Sequence, residues 1–429
     1  MSARIEHRIA TQFQAAWLSV PSSTGGLPQG QRNVTQVLLT FGVAATCCLR
    51  LARASFAAME PFKTFLSFAV AERIAAQLQQ HLSAAGATQF LAPLADTLDA
   101  LEMKARAQAM ATSLAQVLPS DPADRATVLE AMLHPDCTGP GESDAQGLRG
   151  WAVWPLTMVV ATHGQDDFDR SMALLRAMTM RFTSEFDVRA FLIADQPRTL
   201  ATLSSWLDDP NEHVRRWISE GTRPRLPWGE RLTALVADPV PMLPLLERLR
   251  DDPSDYVRRS VANHLNDIAK DHPELVITLC RDWMNGADRN RKGLIKHGLR
   301  SLVKAGNPAA LAILGLNPPQ LEADAPLVTP ASVRLGESLQ VACTLRSTSD
   351  TAQDLVIDLV LWFRKADGRL RPKVFKGTRC NLAAGETLVF RREMRLRAVT
   401  TRQHYAGQQA IALRINGQDT PQTEFDLQL

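Results

Sequence analysis

The sequence predicts a mainly α protein: a HEAT-like helical-repeat solenoid followed by a C-terminal all-β immunoglobulin-like sandwich. Three observations carry that prediction. The stretch DDPNEHVRRWISEGTRPRLPW from Asp208 is answered by DDPSDYVRRSVANHLNDIAKDH from Asp251, with Asp209-Pro210 matching Asp252-Pro253 and Val214-Arg215-Arg216 matching Val257-Arg258-Arg259, each 43 residues on. A period in the low forties, with a DP turn opening a helix that carries paired arginines, is that of a repeat array whose units bury one face against their neighbours. Beyond Asn317-Pro318-Pro319 the texture changes to short alternating apolar runs separated by Gly, Asp and Asn, as in an antiparallel sandwich. At 429 residues the chain is also too long for one core, so two or three domains are expected.

Taken in order, residues 1–58 include PSSTGGLPQGQ and no sustained helical period. They are expected to be a poorly ordered extension, or to arise from an upstream start codon, with Met59 a credible alternative start. Apolar residues then recur at three- and four-residue spacing through FLSFAVAERIAAQL, QFLAPLADTLDALEMKARAQAMATSLAQVL and ATVLEAML, all read as helices. CTGPGESDAQGLRG reads as a loop, after which WAVWPLTMVVATHG and DFDRSMALLRAMTMRFTSEF resume the pattern and helix pairs run to about residue 316. The domains are therefore 1–58, 59–316 and 317–429. In the last, SVRLGESLQVACTLRS, DLVIDLVLWFRKADGR, ETLVFRREMRLRAV and QQAIALRINGQ are the expected strands. Cys343, Trp362 and Cys380 superficially match the antibody pattern, but Cys380 follows Trp362 too closely for the inter-sheet bridge.

Composition limits the chemistry. Six cysteines without a CxxC or Cys/His cluster speak against structural zinc and a disulfide scaffold, so no metal is expected and a reducing, cytoplasmic setting is. The longest apolar run, from Val37 to Cys48, is interrupted by Thr and Gly and followed by Arg50, too short for a membrane span. P-loop, GxGxxG, HExxH and GxSxG motifs are missing in any supporting context, so no cofactor is expected. The net charge is only +3, but seven basic residues against two acids lie between Arg281 and Lys304, and twelve against three between Arg364 and Arg402. Local basic surfaces of that kind suit phosphate contact.

Carboxylates remain as the chemical groups. On the second repeat helix Val257, Val261, His264, Leu265 and Ile268 share one face, and Arg259, Asn263, Asn266 and Lys270 share the other, with Asp267 at the border and able to look into a groove. Shifted back by 43, Arg216 lies opposite Arg259 and Glu220 opposite Asn263, while GTRPRLPWG sets Arg223, Arg225 and Trp228 on a Pro-constrained loop. Glu220 is equally well read as a surface carboxylate paired with Arg216 or Arg223, and Trp228 as a packing residue.

WPL (154–156), RFTSEF (181–186), VRRWISEGTRPRLPW (214–228), YVRRSVANHLNDIAKDHPELV (256–276) and LEMKAR (101–106) closely resemble the AlkC branch of the AlkC/AlkD bacterial DNA glycosylases. The resemblance covers about 59–316, with the trailing sandwich similar to the immunoglobulin-like domain that some AlkC proteins add. It implies hydrolysis of the N-glycosidic bond of cationic N3-methylated bases, 3-methyladenine and 3-methylcytosine, without base flipping. A cationic base leaves without a general acid while charge builds on the sugar, where carboxylates stabilise it. The resemblance gives Glu185, Glu220 and Asp267 that role, one of them also positioning water, and sets Trp228 against the lesioned nucleotide. It gives Arg216, Arg223, Arg259, Lys270, Arg289, Arg291, Lys292 and Lys296 to DNA binding. The implied partner is double-stranded DNA containing alkylated bases, bound by a cytoplasmic, nucleoid-associated monomer with no membrane contact. The alternative is a non-catalytic helical-repeat scaffold binding nucleic acid or an acidic protein, which gains nothing from acids beside phosphate.

Overall fold

Helices begin where the apolar period follows a cap or a proline. The computed structural model describes residues 62–399 and 403–429, and the expectations for residues 1–58 fall outside them. Helix α1 (Phe68–His81) leads into α2 (Ala84–Leu91), whose N-cap Ser83 accepts the Gly86 N–H. The helical period continues past α2, but the chain does not: Pro93 cannot extend a helix, and a 3-10 turn (Leu98–Ala100) precedes α3 (Met103–Val117). Buried Arg106 satisfies that break by donating to the carbonyls of Leu101, Asp99 and Leu66. Helix α4 (Pro122–Ala131) starts at Asp121, which caps two amides, and the loop predicted at 137–150 separates it from α5 (Trp154–His163). Helices α6 (Phe168–Thr179) and α7 (Val188–Ala194) follow. One compact unit ends at Phe191; a second spans Leu192–Leu429.

The second unit contains the repeat. Helices α8 (Gln196–Ser204), α9 (Glu212–Gly221), α10 (Thr233–Ala237), α11 (Leu243–Leu249) and α12 (Asp255–Ile268) are followed by α13 (Pro273–Met284), α14 (Arg289–Gly298), α15 (Arg300–Ala305) and α16 (Pro308–Ile313). Helices α9 and α12 begin 43 residues apart and pack together, and α12 packs on its other side against α14. In each repeat the first arginine of the pair folds back onto its own DP turn: Arg215 Nη1 donates to the Asp209 carbonyl at 2.7 Å, and Arg258 Nη1 to the Asp252 carbonyl at 2.6 Å. Arg215 also bridges to the next repeat through both oxygens of the Asp252 carboxylate, at 2.6 and 3.1 Å. The period extends further than the sequence reading found. Arg248 pairs with Asp208, and Arg291 pairs with Asp251, the same contact 43 residues on.

The faces drawn for α12 hold on the apolar side, where Val257, Val261, His264, Leu265 and Ile268 are buried. The other side needs correcting. Asn266 is buried and accepts the Ser301 N–H, and Asp267 is buried instead of standing at a solvent border.

The sandwich comprises β1 (Leu321–Ala323), β2 (Leu327–Thr329), β3 (Ser332–Arg334), β4 (Ser338–Ser347), β5 (Gln353–Arg364), β6 (Leu370–Leu382), β7 (Thr387–Arg395), β8 (Gly407–Ile415), β9 (Gln418–Asp419) and β10 (Thr423–Gln428). One sheet has the order β1-β4-β2 with β7 on β4, and the other β3-β10-β8-β5-β6 with β9 on β8. Alternate residues such as Leu339, Val341, Leu359, Leu361, Ile411 and Leu413 fill the core. The sequence reading missed β6, an edge strand exposed along most of its length, which therefore shows no apolar alternation. Trp362 is half-buried beside buried Leu361 and Phe363, and Cys343 and Cys380 are free thiols. Helix and sandwich are tied within this unit by a glycine-on-glycine contact. A Cβ on Gly417 would lie 2.8 Å from the Gly306 carbonyl oxygen, and Arg414 Nη1 donates to the Lys304 carbonyl at 3.1 Å. Among the described residues no helix is long and apolar enough to cross a membrane.

Candidate active site

The departure from the repeat after Glu220 sets the site. Helix α9 stops at Gly221, and the loop 222–232 returns Arg223 towards α12. Arg223 Nη1 donates to Glu220 Oε1 at 2.5 Å, while its Nε and Nη2 each reach Asp267 Oδ2 at 2.8 Å. One buried guanidinium thus joins the carboxylates of two repeats. Arg216 Nη2 stands 3.5 Å from Glu220 Oε1, and Lys270 Nζ donates to Asp267 Oδ1 at 2.8 Å. Ser260 Oγ donates to Glu220 Oε2 at 2.6 Å from the facing helix. Arg216 also lies over the Tyr256 ring, 5.2 Å from its centroid.

These partners decide the charge state. Glu220 is 6% exposed and Asp267 2% exposed. Burial by itself raises the Glu220 carboxyl, but Arg223 and Arg216, with the Ser260 hydroxyl, more than offset it and hold the group at about 2. Burial would lower the Arg223 guanidinium, and its two carboxylates raise it instead. Below them His264 is held neutral, burial pushing it down to about 4, while Nδ1 donates to the Ser219 carbonyl at 2.9 Å. A carboxylate so hard to protonate is a fixed negative charge and a poor proton acceptor at neutral pH.

Trp228 is half-buried and adopts φ 66°. It stands third in Leu226-Pro227-Trp228-Gly229, closed by the Gly229 N–H on the Leu226 carbonyl at 3.2 Å. That position normally takes glycine. Holding a large aromatic there stores strain of about 1–3 kcal/mol, the kind of local cost that clusters at functional sites. Arg225 anchors the same loop through both oxygens of Asp271, at 2.6 and 2.7 Å.

The remaining predicted residues separate. Arg216 and Arg223 were expected to face DNA; both are buried and engage carboxylates, so their first task is to hold Glu220 and Asp267. Arg259 is half-exposed and pairs with Asp255 at 2.9 Å. On α14, Arg289, Lys292 and Lys296 are exposed, whereas Arg291 turns to Asp251. With Arg258, Arg259, Asn290 and His297, Arg289 lines a groove of about 470 Å³ between α12 and α14. Glu185 belongs to the first unit, where it is 1% exposed and accepts the Thr183 hydroxyl at 2.7 Å. Sequence reasoning missed Ser260. The 43-residue offset pairs it with Trp217, and a large aromatic replaced by a small hydroxyl in the next repeat was the available signal. Among the described residues no cluster of His, Cys, Asp and Glu could hold a metal ion.

Residues 322–429 match the model of the family described as "Uncharacterised protein YhaZ, C-terminal Ig-like domain". The chain is 35% identical over 328 residues to the uncharacterized protein YhaZ of Bacillus subtilis (strain 168), covering 76% of this chain and 88% of that protein. It is similar, with 37% identity and a TM-score of 0.77 over 86% of this chain and 99% of the other, to the structure of Pseudomonas fluorescens alkylpurine DNA glycosylase AlkC bound to DNA containing an abasic site analog. The chain belongs to the AlkC family. Its helices carry the AlkC-like fold and its sandwich is the added Ig-like domain of that family.

Proposed function

We propose that this AlkC-family protein is a DNA glycosylase that hydrolyses the N-glycosidic bond of cationic N3-methylated bases, 3-methyladenine and 3-methylcytosine, in double-stranded DNA. The observation that carries the reading is the Glu220–Arg223–Asp267 network: two buried carboxylates joined by one guanidinium, with Glu220 locked as an anion. A scaffold that only bound phosphate would be weakened by such acids. A glycosylase acting on a base that is already positive needs no strong acid, and needs fixed negative charge where the sugar becomes cationic. Glu220 and Asp267 fill that electrostatic role, and Trp228 contacts the lesioned nucleotide. Glu220 has both oxygens engaged and resists protonation, so the water-directing role falls better to Glu185. Arg259, Lys270, Arg289, Lys292 and Lys296 contact phosphates, and Arg216 and Arg223 serve by positioning the carboxylates. Residues 59–316 form the glycosylase domain and 317–429 a DNA-contacting sandwich, acting as a monomer on nucleoid DNA without extruding the base.

The test is release of methylated bases from alkylated duplex DNA by the wild-type chain, Glu185→Gln and Glu220→Gln. Wild-type release that drops at least tenfold in either variant supports the mechanism. Release unchanged by both removes the carboxylate mechanism, and none from the wild type leaves the scaffold.

A further inference from the structure

The segment after α6 holds a second buried carboxyl that the mechanism above does not use. Asp187 is 6% exposed and follows Glu185 by two residues, and its Oδ2 is buried with no hydrogen-bond partner. Its surroundings come from three elements of the first unit. Thr157 on α5 is its side-chain hydrogen-bond partner, Lys104 on α3 acts on it as a cation, and Glu185 acts on it as a like charge. Thr157 has one hydroxyl proton, and that proton goes to the Trp154 carbonyl at 2.8 Å. Lys104 is exposed, so solvent screens its charge. Glu185 is better supported, accepting the Thr183 hydroxyl at 2.7 Å, and Arg189 on α7, 1% exposed, brings a cation into the same buried segment.

Two buried carboxyls this close do not both ionise readily. The one with a committed donor keeps its charge, and the one with an unpartnered oxygen keeps a proton. We propose that Asp187 is a positioning residue that holds a proton beside Glu185 below neutral pH, so that the buried pair carries one negative charge there. Burial drives its carboxyl up to about 7, Glu185 adding to the rise and exposed Lys104 opposing it. Above that pH a second charge enters the pocket and pushes the Glu185 carboxylate off its Thr183 anchor. The inference rests on the glycosylase reading only through the water-directing role given to Glu185; the shared proton stands without it.

Two measurements on the full chain test it. The first is Tm against pH from 4 to 8 for the wild type, Asp187→Asn and Glu185→Gln. A carboxyl raised on folding contributes stability that is present at low pH and lost as pH rises through its folded value. The wild type therefore loses Tm relative to Asp187→Asn between pH 4 and 7, and in Glu185→Gln the loss is complete at a lower pH. Parallel wild-type and Asp187→Asn curves, or no displacement in Glu185→Gln, overturn the shared proton. Should Asp187→Asn fail to fold, infrared spectra of chain labelled with ¹³C-carboxyl aspartate decide: a protonated carboxyl band at pH 6 that bleaches near pH 7 supports the proposal, and its lack refutes it. The second is the pH profile of base release. The wild-type rate falls on the alkaline side of pH 7, and Asp187→Asn, which cannot ionise, flattens that limb. An unchanged limb overturns the link to Glu185. A wild type that releases no base removes the glycosylase reading and leaves the Tm and infrared results to judge Asp187.

Discussion

At the residue scale, the second unit depends on where Arg223 spends its donors. A guanidinium is a rigid fork that satisfies two carboxylates at once, and here it reaches Glu220 and Asp267 from different repeats. Truncating one member of such a group is costly because the others stay buried. Arg223→Ala should therefore lose about 3 kcal/mol in urea unfolding, moderated by Arg216 and Lys270, which still face the two acids. Glu220 predicts the opposite pH window to Asp187. Its folded value of about 2 lies below its ordinary value of 4.5, so its contribution is present above pH 4.5 and is lost as pH falls towards 2. Glu220→Gln should flatten the acid limb of the stability profile between those limits.

At the element scale, the 43-residue period is a set of contacts as well as a pattern of letters. Arg215–Asp252 is a shielded, two-pronged bridge between repeats in which Asp252 also caps the Ser254 N–H at 2.8 Å. Arg248–Asp208, the recurring outer pair, has side chains 61% and 75% exposed. Exposed pairs contribute little, and buried ones are expensive to break. Asp252→Ala should cost about 3–5 kcal/mol in denaturant midpoints and Asp208→Ala less than about 1 kcal/mol. Equal losses would mean that burial of the Arg215–Asp252 bridge gives it no advantage over the outer pair. In the sandwich, Gly377 shows a similar economy: a Cβ there would sit 1.8 Å from the Ile357 carbonyl oxygen, at the irregularity between Ile357 and Leu359 where β6 meets β5. Edge strand β6 can follow β5 because that position has no side chain.

At the scale of the whole molecule, a nearly neutral chain can bind a polyanion only through local surfaces. Arg289, Lys292 and Lys296 stand exposed on α14, and β6 carries Arg371, Lys373, Lys376 and Arg379 along an edge strand. Each phosphate contact removed should lower the slope of log K against log salt by roughly 0.9. Replacing Arg289, Lys292 and Lys296 together by Ala should therefore reduce that slope by between two and three in duplex-binding titrations. An unchanged slope would take α14 out of the DNA surface. The glycine contact at Gly306 and Gly417 joins the sandwich that carries these basic strands to the helices of its unit.

Much of this was legible in the chain. The period of 43, the DP turns, the switch at Asn317-Pro318-Pro319 and the alternation in β4, β5, β7 and β8 follow from rules that act over a few neighbouring residues. Strand β6 was not legible, because solvent on most of its length leaves no alternation to read. The candidate site was legible as residue types and not as an environment. Glu220 and Asp267 fall at the edge of a helical wheel, and only the fold of loop 222–232, which carries Arg223 between them, turns that edge into an interior. Asp187 gave no signal at all, since its burial depends on its packing among residues distant in sequence. The sequence by itself determined the elements, their repeat and the charges available. Tertiary structure decided which charges are buried and what they face, because desolvation and ion pairing depend on contacts between residues far apart in the chain.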